Sequence, residues 1–201
     1  GINIKAKALK DEGKDVIVLA AGEPDFNTPK NIRDAASKAM EEGKTKYVPG
    51  KGTPELQKAI QRKFREDNNI NYQLDEIICG VGGKHIIYNA MMATINPGDE
   101  VIITAPFWVS YPDIVLLAEG KPVLVKCPQS QNFKITPEQL EKNINSKTKW
   151  LMLNSPSNPT GSVYSKKELE DLALILKKYP NVLTMCDDIY EKIIYDKLEF
   201  H

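Results

Sequence analysis

Asp187 and Tyr190 stand three residues apart in Asp187-Asp-Ile-Tyr190, directly after an apolar run that ends at Cys186. A carboxylate and a phenol so placed can address one planar ligand from two sides. Against a pyridine-type nitrogen the carboxylate keeps the ring protonated, because an opposite charge favours the charged form. The phenol can hydrogen-bond a ring oxyanion. The plainer reading is a solvated acidic turn, which is what Asp188 is expected to be. Upstream, Ser155-Pro-Ser-Asn-Pro-Thr-Gly161 carries two prolines and a glycine, which fix a rigid turn. Asn158, between those flanks, would be held as a pre-aimed amide donor; the plainer reading is an ordinary proline turn.

Two further stretches carry chemistry. Gly80-Val-Gly-Gly-Lys-His85 precedes a helical run over 86–95. Glycines between a strand and a helix N-terminus form an anion cup, since exposed N–H groups and the helix dipole both favour phosphate. A dinucleotide site would need a third glycine where His85 stands and an acidic residue at the next strand end. That strand ends in Thr104-Ala105-Pro106, so the cup suits a small phosphate. Lys84 opens the helix, a poor place for a cation, and this suggests an anionic partner: the phosphate or a substrate carboxylate. Its alternative is to point into water. Trp108, in Ala105-Pro-Phe-Trp-Val-Ser-Tyr111, can offer a flat face to a ring, or simply pack.

Each of these groups follows a β-rich run. Strands are expected over 16–21, 76–79, 101–104, 122–127, 150–154 and 182–186, most of them nearly continuous in apolar residues, as in strands covered on both faces. Thr28-Pro29, Thr53-Pro54 and Thr136-Pro137 each set a capping hydroxyl before a proline at a helix start. Ser165-x-x-Glu168 reads as a capping box for a helix running to about Tyr179. In the helix from Thr53, Leu56, Ile60, Lys63 and Phe64 keep helical spacing and predict an apolar inner face. The first ~15 residues predict a helix leading into the first strand. Alternation of this kind gives an α/β fold, a three-layer αβα sandwich around a mostly parallel sheet. Ligands in such folds collect beyond the carboxyl ends of the strands.

Composition narrows the partners. Lys plus Arg and Asp plus Glu both count 27, so the formal charge is zero, and no basic face for nucleic acid stands out. Apolar runs are far shorter than a membrane span of about 20 residues, and no signal segment opens the chain. A cytoplasmic location is the default expectation. Cys79, Cys127 and Cys186 are scattered, with no CxxC pair, and are expected to be small core residues rather than metal ligands.

In order and wording the strand-end groups resemble the fold-type I aminotransferases that use pyridoxal 5'-phosphate, specifically the class I aspartate aminotransferase family. The matching residues are Ala21-Gly-Glu-Pro-Asp-Phe26, Lys46-Tyr47, Val81-Gly-Gly-Lys84, Trp108-Val-Ser-Tyr111, Asn158-Pro-Thr-Gly161 and Asp187-Asp-Ile-Tyr190. The resemblance implies that Gly22 contacts the substrate α-carboxylate and that Trp108 stacks on the cofactor and lines the substrate site. It implies that Gly82, Gly83 and the following helix hold the phosphate, and that Asn158 and Tyr190 bond the ring oxygen. Asn158 also meets the substrate carboxylate. Asp187 pairs with the pyridinium nitrogen. Lys84 matches the lysine that bacterial members set against a dicarboxylate side chain, and several of those members also accept prephenate. Tyr47 matches a tyrosine that reaches the partner subunit's phosphate, which implies a homodimer acting on amino-acid and 2-oxo-acid substrates.

The same resemblance places the covalent lysine in a Ser-x-Ser-Lys segment beyond Tyr190, and residues 191–201 contain no serine. The expectation is a fragment of a longer enzyme, inactive alone. Residues 1–20 would be lead-in, partly of a second, small domain, and 21–201 an incomplete cofactor domain. An aromatic or alanine aminotransferase, or a C–S lyase, would share Asn158, Asp187 and Tyr190; Lys84 argues for a dicarboxylate. A transcription regulator with an aminotransferase-like domain would carry a basic winged helix, which the neutral composition does not suggest.

Overall fold

A computed structural model describes residues 2–18, 22, 24 and 26–201. The chain divides into two compact units, Gly1–Val48 and Pro49–His201. In the first unit, α1 (Ile2–Asp11) buries Ala6, and α2 (Lys30–Glu41) buries no residue. The strand expected over 16–21 is not formed at 16–18, where Ile17 is exposed and no ladder partner is supplied; 19–21 lie outside the described residues. Thr28 does not cap α2: Pro29 takes the cap position, and no side chain bonds the helix start.

The second unit holds a four-stranded, all-parallel sheet in the order β2-β1-β3-β4. Its elements run α3 (Pro54–Asn68), α4 (Gly83–Thr94), β1 (Glu100–Ala105), α5 (Ser110–Leu117), β2 (Lys121–Lys126), α6 (Pro137–Asn143), β3 (Thr148–Asn154), α7 (Lys166–Leu176) and β4 (Leu183–Asp187). Parallel strands cannot be joined by tight turns, so each crossing carries a helix. Side chains alternate across the sheet and feed two cores. Val101, Ile103 and Met152 pack with Ile87, Met91 and Ile95 of the α4 segment and Tyr111, Ile114 and Val115 of α5. Ile102, Leu151 and Leu153 pack with Leu140 of α6 and with Leu172 and Ile175 of α7. This is the three-layer α/β architecture expected.

Thr53, Thr136 and Ser165 each accept a hydrogen bond from the helix they open, and the last two complete capping boxes with Gln139 and Glu168. Several expectations are corrected here. The 76–79 segment is no strand: Leu74–Glu76 forms a 3-10 turn and Ile77 is extended but unladdered. Its backbone is satisfied elsewhere, by the Gln57 side chain donating to the Ile77 carbonyl at 2.8 Å and by Cys79 N–H donating to the Lys51 carbonyl at 3.0 Å. The inner face of α3 is only partly as expected: Ile60, Lys63 and Phe64 are half-buried, with Phe64 edge-on to Tyr72. Gln57 is its buried residue, while Leu56 is exposed, because the helix packs on backbone carbonyls that need a donor. α7 ends at Leu176, before Tyr179. Of the cysteines only Cys127 is buried; Cys79 is half-buried and Cys186 is exposed, facing out from β4 at the sheet edge. Among the described residues no helix is long and apolar enough to cross a membrane.

Candidate functional site

The carboxyl ends of β1, β3 and β4 and the start of α4 border one cavity of about 290 Å³. Its lining includes Gly82, Gly83, Lys84, Trp108, Asn158, Asp187 and Tyr190, all named from the sequence, together with Ile87, Tyr111, Asn154 and Ile189.

On one side, Gly82 caps α4 at φ 101°, a conformation that side-chain-bearing residues rarely adopt. No side chain caps this helix, so its first N–H groups face outward with the positive end of the dipole. A Cβ added at Gly82 or Gly83 would meet no protein atom within 4 Å. The loop before them is fastened by His85, whose Nδ1 accepts from the Val81 N–H at 3.3 Å and whose Nε2 pairs with Asn89 at 3.0 Å.

Beyond β1, Trp108 meets the ring of Tyr111 edge-on, with centroids 5.3 Å apart. The Lys84 ammonium lies 4.9 Å from the centre of the Trp108 ring. Across the cavity, β3 ends in the buried Asn154, whose amide donates to the Asp187 carbonyl at 2.7 Å and accepts from the Asn158 N–H at 2.6 Å. One side chain therefore sets the spacing between the end of β4 and the proline turn. That turn is closed by Gly161 N–H donating to the Ser157 carbonyl and Ser157 N–H to the Ser162 carbonyl. The Asn158 amide donates in turn to the Tyr190 hydroxyl at 3.4 Å.

Asp187 ends β4 with its two carboxylate oxygens unlike. Oδ2 accepts from the Tyr111 hydroxyl at 2.6 Å, and among the described residues Oδ1 accepts only a long 3.4 Å bond from the Ile189 N–H. Burial, and then the Asp187 carboxylate, hold the Tyr111 phenol far above its ordinary range, so it stays protonated. Asp188 is not the solvated turn residue expected. Burial, with the charges of Glu191 and Asp187, pushes its carboxyl up to about 6 against the opposing pull of Lys63.

Gly22 and Tyr47 belong to the first unit, where both are exposed. Ala21, Glu23 and Asp25 of the matched 21–26 motif lie outside the described residues. Sequence reasoning missed Tyr111 and Asn154 as members of the site. Both lie near strand ends, where ligands of such folds collect, and Asn154 is the polar residue that closes the apolar run of β3.

The profile of the family described as aminotransferase class I and II matches residues 14–201. The probable aspartate/prephenate aminotransferase of Rickettsia bellii is 56% identical over 98% of this chain and 49% of its own length. An aspartate aminotransferase of Rhizobium meliloti is 51% identical over 99% of this chain and 48% of its own. The crystal structure of the aspartate aminotransferase from Rhizobium meliloti superposes with a TM-score of 0.95 at 51% identity, covering 99% of this chain and 50% of that one. The Thermus thermophilus aspartate aminotransferase solved with maleate gives 0.94 at 42% identity, covering 100% and 52%. The chain thus spans about half the length of the curated relatives it matches.

Proposed function

We propose that this chain, which belongs to the class I and II aminotransferase family, holds the pyridoxal 5'-phosphate site of an enzyme that transaminates L-aspartate with 2-oxoglutarate, giving oxaloacetate and glutamate. The family is typically dependent on that cofactor. The observation that carries the reading is the convergence of a glycine cup, an aromatic face, an amide and an acid–phenol pair on one cavity. The names of the relatives support the substrate, and prephenate is a further candidate on the same ground.

The residues present fit the cofactor. The open space beside Gly82 and Gly83, at uncapped helix N–H groups, suits a phosphate. When bound, the cofactor supplies an electron sink for charge that develops at the amino acid's α-carbon. Asp187 would hold a proton on the ring nitrogen through opposite charge. Asn158 and Tyr190, 3.4 Å apart, would donate to the ring oxygen from the facing side, and Asn158 would also meet the substrate carboxylate. Trp108 would cover one ring face, orienting the reacting bond and excluding water. Lys84 would neutralise the distal carboxylate of aspartate or glutamate. In the same reading Gly22 contacts the α-carboxylate from the backbone, and Tyr47 reaches the phosphate of a partner subunit in a cytoplasmic homodimer. Residues 21–201 belong to the cofactor domain, and 1–20 partly to a second one.

The activity is proposed for the full-length protein in which these residues stand. The 201 residues alone are expected to turn nothing over, since the resemblance places the covalent lysine in a segment beyond Tyr190 that residues 191–201 do not contain. Full-length protein loaded with pyridoxal phosphate should form oxaloacetate from aspartate and 2-oxoglutarate. Turnover confined to alanine, aromatic amino acids or a C–S substrate would overturn the aspartate reading.

A further inference from the structure

We infer that Tyr111 is a positioning residue for Asp187: its hydroxyl grips the carboxylate by Oδ2, so that Oδ1 is the oxygen left to pair with the cofactor's ring nitrogen. The inference rests on the pyridinium role given to Asp187 above.

Three holds converge on this one side chain. Asn154 fixes the Asp187 carbonyl at 2.7 Å, so the backbone at the end of β4 cannot swing. Tyr111 fixes Oδ2 at 2.6 Å, a length typical of the stronger, charge-assisted O–H···O⁻ bond. Among the described residues Oδ1 keeps only the 3.4 Å contact from Ile189, too long to satisfy a carboxylate oxygen. The grip is itself rigid. Tyr111 is 4% exposed, sits in the first turn of α5, and is packed with Ile114 and Val115 and against the edge of Trp108.

Topology explains why a tyrosine does this. In the sheet order β2-β1-β3-β4, the loop after β1 is separated from β4 by β3. A donor leaving β1 must reach over a whole strand to touch Asp187, and a phenol has that length without the flexible stem of a lysine. Its proton is retained because burial and the facing carboxylate both oppose ionisation. The rival account is that the bond only satisfies a buried hydroxyl. The two accounts differ in one respect: positioning matters only to a ligand that carries a ring nitrogen.

The test is cofactor affinity of the full-length apo-protein, measured with pyridoxal phosphate and with its 1-deaza analogue, which has C–H in place of the ring nitrogen. Tyr111→Phe should weaken pyridoxal phosphate binding about tenfold, as for loss of one hydrogen bond to a charged group. It should leave the deaza analogue unchanged, which also reports that the variant is folded. The pH at which the visible band of bound pyridoxal phosphate titrates should shift as well. Equal weakening of both ligands, or of neither, would overturn the inference and leave Tyr111 a packing residue. Asp187→Asn is the companion measurement. If it abolishes the preference for the nitrogen-bearing ligand while Tyr111→Phe does nothing, the positioning role alone falls. If Asp187→Asn keeps the full preference, the pyridinium reading falls and the inference falls with it.

Discussion

The Lys84 ammonium rests 4.9 Å from the centre of the Trp108 ring, and both side chains line the same cavity. Lys84 is in the first turn of α4, where the helix dipole disfavours a cation. The ring's quadrupole offsets this by about 0.5–1 kcal/mol at an exposed site. The ammonium is thereby held over the Trp108 ring at the edge of the cavity, although Lys84 remains exposed.

A dicarboxylate substrate would draw on that cation. Lys84→Ala in the full-length protein should cut kcat/KM for aspartate and glutamate by about 10- to 100-fold, the cost of one charge-assisted contact. Alanine and aromatic substrates, which present no second carboxylate, should change far less. Equal losses for both classes would move Lys84 from the substrate to the cofactor phosphate.

Asp187→Ala should cost several powers of ten in turnover, at about 1.4 kcal/mol per tenfold, with the circular dichroism of the fold unchanged. Turnover close to that of the unaltered protein would remove the carboxylate from the chemistry and leave it the anchor for Tyr111 alone.

How far the residues announced this arrangement depends on the range of the interaction. The capped helices were legible because Thr53, Thr136 and Ser165 act on N–H groups three residues away. The four strands of the sheet were legible as apolar runs, although only β1 and β3 are covered on both faces, while Leu124 of β2 and Leu183 and Cys186 of β4 stay exposed at the edges. The 76–79 segment reads the same way locally. Its fate was decided by Gln57, some twenty residues upstream, whose amide takes the carbonyls of Leu74 and Ile77. The Tyr111–Asp187 bond spans 76 residues and a strand crossing, so no local pattern could announce it. The raised carboxyl of Asp188 likewise depends on groups beyond its own turn: burial comes first, then Glu191, which Lys63 and Asn68 of α3 hold in place.

Gln57 gives a stability prediction on those grounds. It is buried and donates to the Leu74 carbonyl at 3.1 Å and the Ile77 carbonyl at 2.8 Å. Gln57→Leu keeps the volume but strands two acceptors, at a cost of about 1–3 kcal/mol. Urea unfolding should show a lower midpoint with an unchanged slope. An unchanged midpoint would mean that both carbonyls find other partners.

Tyr47 is wholly exposed in its unit, as are other large apolar side chains of the chain such as Phe26 and Val81, so the partner role rests on the proposed reading alone. In the proposed homodimer Tyr47→Phe should weaken cofactor retention on dialysis without altering substrate preference. A full-length protein that sediments as a fully active monomer would refute the assignment.

Asp188 supplies a pH prediction whose sign is fixed by its surroundings. Its carboxyl is raised from 3.8 to about 6, first by burial and then by Glu191 and Asp187, with Lys63 pulling the other way. Below about pH 4 the group is protonated in both the folded and the unfolded chain, and the folded state suffers no penalty. Between about pH 4 and 6 the folded state holds a proton that the unfolded chain has lost, so this contribution falls as pH rises, by at most about 1.4 kcal/mol per pH unit. Above about pH 6 the penalty is constant. The carboxylates of Glu100, Glu168 and Glu191 are instead held below their ordinary range despite some burial, by Lys121, Lys134 and Lys63 respectively. Their contributions are lost as pH falls below about 4.5, so they overlap the Asp188 window only at its acid edge. Asp188→Asn, which removes the charge and keeps the shape, should therefore gain stability over the unaltered chain progressively from pH 4 to 6, and by a fixed amount above it. Chemical denaturation at four or five pH values measures this directly. A difference that is flat across the window, or that shrinks with rising pH, would show that Asp188 is solvated in the folded protein.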